Sequence, residues 1–155
     1  MWDKLEKEIA VEKELIHRLL EVHRPLLDRC HDTPPNNIEI SALAAMLHSF
    51  YTGIENLFKR IAIYVDSNSP HGESWHSHLL KNIAEDTQNR PAVISESLQS
   101  QLQNYLNFRH VFRHAYSFEL RWNKMAPLVL ECEDTFQLLE LQLDSFLKEI
   151  KSRIA

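Results

Sequence analysis

Leu43, Leu47, Phe50, Ile54, Leu57, Ile61 and Val65 step along the chain by four and three residues, which lines them up on one face of a helix. The same spacing returns at Met125, Val129, Cys132, Phe136, Leu139, Leu143, Phe146 and Ile150. There Lys148, Lys151 and Arg153 occupy the last turns, where cations suit the helix dipole. A chain with two such seams and only two glycines among 155 residues is not built for a turn-rich β architecture.

The rest of the chain reads the same way. From Trp2 to about Cys30 a looser stripe (Leu5, Ile9, Ile16, Leu19, Leu26) predicts a helix that Pro25 must bend or end. A short helix is expected at about Trp75 to Glu85, and a longer one from Ser95 to about Tyr116, with Leu98, Leu102, Tyr105, Phe108 and Phe112 facing inward. HDTPPNN, DSNSPHGES and TQNRP mix Pro or Gly with short polar residues and mark loops. The expectation is an all-α, up-and-down bundle of four main helices plus a short fifth, forming a single domain over residues 1–155. No internal repeat or low-complexity tract interrupts it.

No apolar run approaches the ~18 to 20 residues needed to cross a bilayer, and the charged start MWDKLEKEIAVEKE does not suit a signal peptide. A cytoplasmic location and no membrane partner are expected. Cys30 and Cys132 lack CxxC spacing and read as reduced, buried small side chains, not as a disulfide or a metal site.

Net charge is −5, which argues against a broad DNA-binding face. Between Tyr105 and Met125, however, Arg109, Arg113, Arg121 and Lys124 stand against Glu119, a local +3 that leaves −8 on the rest of the chain. At the centre of this basic island lies FRHVFRHAY, residues 108 to 116. At about 100° per residue, Tyr105, Phe108, Phe112 and Tyr116 share a face, while His110 and His114 lie nearly opposite with Arg113 beside them. Aromatic stripes of this kind are usually core, and opposed basic residues are usually a solvated face. Yet two histidines a turn apart beside a guanidinium also supply the parts needed to cleave RNA without a metal. A base takes the 2′-hydroxyl proton, an acid protonates the leaving oxygen, and a cation stabilises the transition state.

Arg109 and His114 are five residues apart, so on a continuous helix they point about 140° away from each other and lie about 7.5 Å apart along the axis. Either the helix ends near His114 or the same helix of a second subunit completes the site, and a homodimer with its cleft at the interface is the expectation.

Arg109, His114 and Tyr116 fit an R-x4-H-x-Y pattern that resembles the motif of HepT-like toxins, members of the HEPN superfamily of helical ribonucleases. YTGIENLFKRIA (51 to 62), WHSHLLKNIAED and RPAVIS are similar to the family's flanking segments, so the resemblance covers most of residues 40 to 125. It implies a cofactor-free, metal-independent endoribonuclease that leaves 2′,3′-cyclic phosphate, acting as the toxin of a type II-like toxin–antitoxin pair. Arg109 and His114 would be catalytic, and His110 and Arg113 would bind RNA. The implied partners are RNA, a second copy of the chain and an MntA-like nucleotidyltransferase antitoxin that transfers AMP to Tyr116; no DNA partner is implied. A fully buried Tyr116 could not be modified, so this reading requires the helix to end near His114.

Two other features stand apart. His71, His76 and His78 straddle a loop without the acidic or thiolate partners of a zinc site and read as solvated. Glu55 and Asn56, inside the apolar seam, are candidates to orient the motif arginine, with helix surface as the competing reading. A different functional class also remains open: a non-catalytic helical nucleotide-binding module assisting a nucleotidyltransferase, which would use the arginines but not need His114 as a proton carrier.

Overall fold

A computed structural model describes residues 2–154, Ser117 by its backbone alone; Met1 and Ala155, the ends of the expected 1–155 domain, lie outside the described residues. In chain order its elements are α1 (Trp2–Val22), α2 (Arg24–Cys30), α3 (Asn37–Tyr64), α4 (Trp75–Ile83), α5 (Glu96–His114), a 3₁₀ turn (Ser117–Glu119) and α6 (Trp122–Ile154). The all-α expectation holds, with six α-helices among the described residues where periodicity predicts four main ones and a short fifth. The additional helix is Pro25's doing. Proline cannot sit in a helix interior without losing a hydrogen bond and clashing with the preceding turn, so α1 stops at Val22 and α2 restarts with Pro25 in its first turn, where the missing N–H costs nothing.

α3 is the central element and packs against α1, α4, α5 and α6. It is therefore buried well beyond its seam: Ala44, Met46, Tyr51, Glu55 and Phe58 join the predicted stripe in the interior. A capping box starts it, in which the Asn36 side chain accepts from the Glu39 N–H and the Glu39 carboxylate accepts from the Asn36 N–H, each at 2.9 Å. Gly53 allows α1 to approach closely, since a Cβ there would lie 2.7 Å from Ile16 Cγ1.

In α6 every residue of the predicted seam, Met125 through Ile150, is buried. The helix begins at Trp122, and Pro127 removes only one backbone donor early in it. Cys30 and Cys132 are free and buried, and burial pushes the Cys132 thiol up to about 12, consistent with reduced, unreactive side chains.

α4 ends at Ile83, short of the expected Glu85, because the loop beyond it wraps around a buried arginine. The Arg90 side chain is fully enclosed and bonds both carboxylate oxygens of Asp66 (2.7 and 3.1 Å) and the carbonyls of Asn82, Glu85 and Pro91 (3.0, 3.0 and 3.1 Å). One guanidinium thus ties the residues after α3 to the end of α4 and to the segment entering α5, whose first turn Ser95 caps. Among the described residues no helix is long and apolar enough to cross a membrane.

Candidate active site

α5 buries Leu98, Leu102, Tyr105 and Leu106. Arg109 follows Tyr105 by four residues and Leu102 by seven, so helical geometry carries its side chain onto the inward edge of α5, toward α3 and α4. Buried charges need partners, and α3 supplies one. Glu55, 2% exposed, accepts a hydrogen bond from Arg109 Nη1 and a second from His76 of α4, whose Nδ1 lies 2.7 Å from Glu55 Oε2. His76 Nδ1 also lies 3.2 Å from Arg109 Nη1. A guanidinium only donates and a carboxylate only accepts, so the shorter contact assigns the Nδ1 proton to the bond with Glu55.

Glu55 is therefore the residue that orients the motif arginine, while Asn56 turns away and donates to Glu12 of α1 at 3.4 Å. Two α3 neighbours complete the surroundings. Burial pushes the Tyr51 hydroxyl up, and burial followed by the positive charges of Arg109 and Arg113 pushes the His48 imidazole down. The ring of His48 packs against Phe112, 5.4 Å between centroids.

Above this buried network opens a cleft of ≈ 540 Å³ lined by His76, Arg109, His110 and Arg113, with Gln103, Asn107 and Glu73 at its edges. Three of the sequence-predicted residues, Arg109, His110 and Arg113, thus meet in one cavity. His114 does not line it. It is exposed, and its ring packs in an edge arrangement with that of His110, centroids 4.9 Å apart. The helix runs unbroken from Arg109 to His114, so the wide angular separation read from the spacing persists within one chain.

α5 ends at His114, and Ala115 is extended (φ −107°, ψ 144°). Tyr116 consequently leaves the aromatic stripe, a correction to the face read from a continuous helix: it is 71% exposed and its ring lies parallel to that of Phe118, 5.4 Å between centroids. Glu119 fixes this corner by accepting the Tyr116 N–H at 3.0 Å. The basic island also divides. Arg121 and Lys124 line a separate groove of ≈ 490 Å³ between α5 and α6, together with Glu119 and Glu131. The expectation that His71, His76 and His78 are a solvated loop cluster is corrected: His76 and His78 lie on α4, His71 and His78 border another hollow, and His76 is bound to Glu55 and joins the Arg109 cleft. Among the described residues no group of three or more His, Cys, Asp or Glu side chains could hold a metal ion.

Spacing groups His76 with His71 and His78 as solvated and does not point to His48 at all. The acid at position 55 was the one visible signal, because a carboxylate inside an apolar seam implies a cationic partner somewhere in the fold.

Fold and cleft together define an all-helical protein with a histidine- and arginine-lined cleft braced by a buried carboxylate. The chain belongs to the HepT-like family: residues 42–150, from early α3 almost to the end of α6, match the family model described as HepT-like protein. No curated protein and no solved structure gave a match.

Proposed function

We propose that this chain is the ribonuclease toxin of a toxin–antitoxin pair, cleaving RNA without a metal in the Arg109 cleft. The observation that carries the reading is the placement of Arg109, half-sunk beside Glu55 at the floor of a cleft with His110 and Arg113 on its wall, in a HepT-like chain. Glu55 engages one amino group of the guanidinium fork, and the fork has further donors with which to hold a phosphate. Arg109 stabilises charge on the phosphorane-like transition state, His110 and Arg113 bind the RNA backbone, and His114 is an acid or base of the reaction. Because His114 lies outside the cleft of its own chain, the reading includes a homodimer in which α5 of one subunit presents His114 to the cleft of the other.

Purified protein is expected to cleave RNA in the presence of EDTA, leaving 2′,3′-cyclic phosphate ends. His114→Ala should remove the activity by a factor of ~10² to 10⁴ without changing the helical circular-dichroism signal. Strict dependence on a divalent ion, or full activity in the variant, would defeat the proposal.

Control by a nucleotidyltransferase antitoxin fits the exposed Tyr116 hydroxyl at the end of α5. AMP groups attached there would place phosphates near the basic turn of α5 and compete with RNA. Co-expression with such an enzyme is expected to raise the intact mass by whole AMP increments, absent in Tyr116→Phe. An unchanged ladder in that variant rules out Tyr116 as the acceptor.

A further inference from the structure

Cleavage by 2′-hydroxyl attack needs two proton transfers, and the reading above assigns only one of them, to His114. We propose that His76 is the second proton carrier, the base that activates the 2′-hydroxyl, with Glu55 positioning it; this rests on the cleft being the ribonuclease site.

Three observations separate His76 from the other histidines. Its Nδ1–H is committed to Glu55, a carboxylate 2% exposed, so the neutral ring has one defined tautomer with Nε2 as its free basic nitrogen. The ring is held from its face by Trp75, 3.7 Å between centroids and 29° from parallel, and Trp75 in turn carries Lys59 Nζ at 4.5 Å. Finally, His76 lines the same cleft as Arg109 and is 24% exposed, open enough to meet a ligand and enclosed enough to be fixed. His110, by contrast, is exposed, packs in an edge arrangement with His114, and among the described residues has no carboxylate hydrogen-bonded to it to set its tautomer.

The arrangement follows the logic of a buried acid, an oriented imidazole and an adjacent oxyanion site. A phosphate on the free donors of Arg109 lies beside the imidazole, because His76 Nδ1 is already 3.2 Å from Nη1 of that guanidinium. His76 Nε2 takes the proton of the 2′-hydroxyl, the 2′-oxygen forms its bond to phosphorus, and the bond from phosphorus to the 5′-oxygen breaks. His114 of the second subunit supplies the proton to that leaving oxygen, giving a cyclic phosphate and a 5′-hydroxyl. The charged and titratable groups facing His76 are Glu55 from α3, Arg109, His110 and Arg113 from α5, and Glu73 from the preceding loop.

The test is steady-state cleavage of a short fluorescent RNA in EDTA across pH 5 to 9, for wild type, His76→Ala, His76→Asn and His114→Ala. His76→Asn keeps an N–H for Glu55 but cannot carry a proton, which guards against a folding artefact. Both His76 variants are expected to lose kcat by ~10² or more with KM changed only a few-fold and the acidic limb of the rate profile flattened. Added imidazole should restore part of the rate in His76→Ala. A wild-type rate in either His76 variant, a loss confined to KM, or a lower rate with the acidic limb intact would overturn the assignment while leaving the ribonuclease reading standing on His114→Ala. No cleavage by the wild type would remove both.

Discussion

Replacing Arg90 by Met is expected to lower unfolding stability by about 3–5 kcal/mol, the range for breaking a buried ion pair at one end. The substitution is isosteric in its stem, so packing is largely kept. What disappears is the fork, with its two bonds to Asp66 and three to the carbonyls of Asn82, Glu85 and Pro91. The Asn82 carbonyl keeps the Glu85 N–H as a second donor, at 3.2 Å, but any other acceptor left buried without a donor costs about 1–3 kcal/mol. A domain of this size has only about 5–15 kcal/mol to lose, so the variant should melt far lower or fail to accumulate. Arg90→Lys is the control: a single ammonium cannot span five acceptors and should recover less than half of the loss in a urea titration. Near-complete recovery would show that charge alone, not the fork, holds the loop. The functional corollary is that Arg90 sets where α4 lies against α5, and hence where His76 meets Arg109.

The second large effect is expected at Glu55. Glu55→Leu leaves the Arg109 charge, only 15% exposed, without its buried partner, and should cost about 3–5 kcal/mol. Adding Arg109→Met to the same chain should return most of that stability, because an apolar pair of similar volume replaces a buried ion pair at little or no cost. The double variant should nonetheless be inactive. This double-mutant cycle asks directly whether the pair exists for stability or for the site, with chemical denaturation as the readout. Additive losses of stability in the double variant would mean that the two side chains are not coupled and that the contact does not hold the arginine. Asn56→Leu, by contrast, should leave the Arg109 site untouched, since its amide reaches Glu12 and not the guanidinium.

Much of this architecture can be read from spacing. The α6 seam is buried residue for residue, and the α3 seam nearly so, because apolar side chains three and four apart must share a helix face and a chain this long must bury that face. Proline and capping chemistry also speak locally: Pro25 announces the α1–α2 break, and Asn36 with Glu39 marks the start of α3. Boundaries were harder where tertiary bonds intervene. α4 stops early where Arg90 takes the carbonyl of Asn82 in its last turn and that of Glu85 beyond it, and α5 stops at His114 where Ala115 turns extended and Glu119 caps the next corner.

The site divides along the same line. R-x4-H-x-Y is a local pattern, so Arg109, His114 and Tyr116 could be named from residue order alone. The surroundings that decide what each does could not. Arg109 meets a carboxylate 54 positions before it and a histidine 33 positions before it, and periodicity carries no information over such distances. His76 looked like one of three loop histidines until packing separated it from His71 and His78.

What the sequence determined by itself is the helical class, the inward faces, the family pattern and the presence of an unexplained acid in the α3 seam, because each follows from residues within a few turns of one another. Only the tertiary structure decided that Glu55 holds Arg109 and His76, that His114 does not line the cleft of its own chain, and that Tyr116 stands exposed beyond the end of α5. Those facts depend on which helices lie side by side, and that is settled by burial of the whole core against chain entropy, not by any single segment.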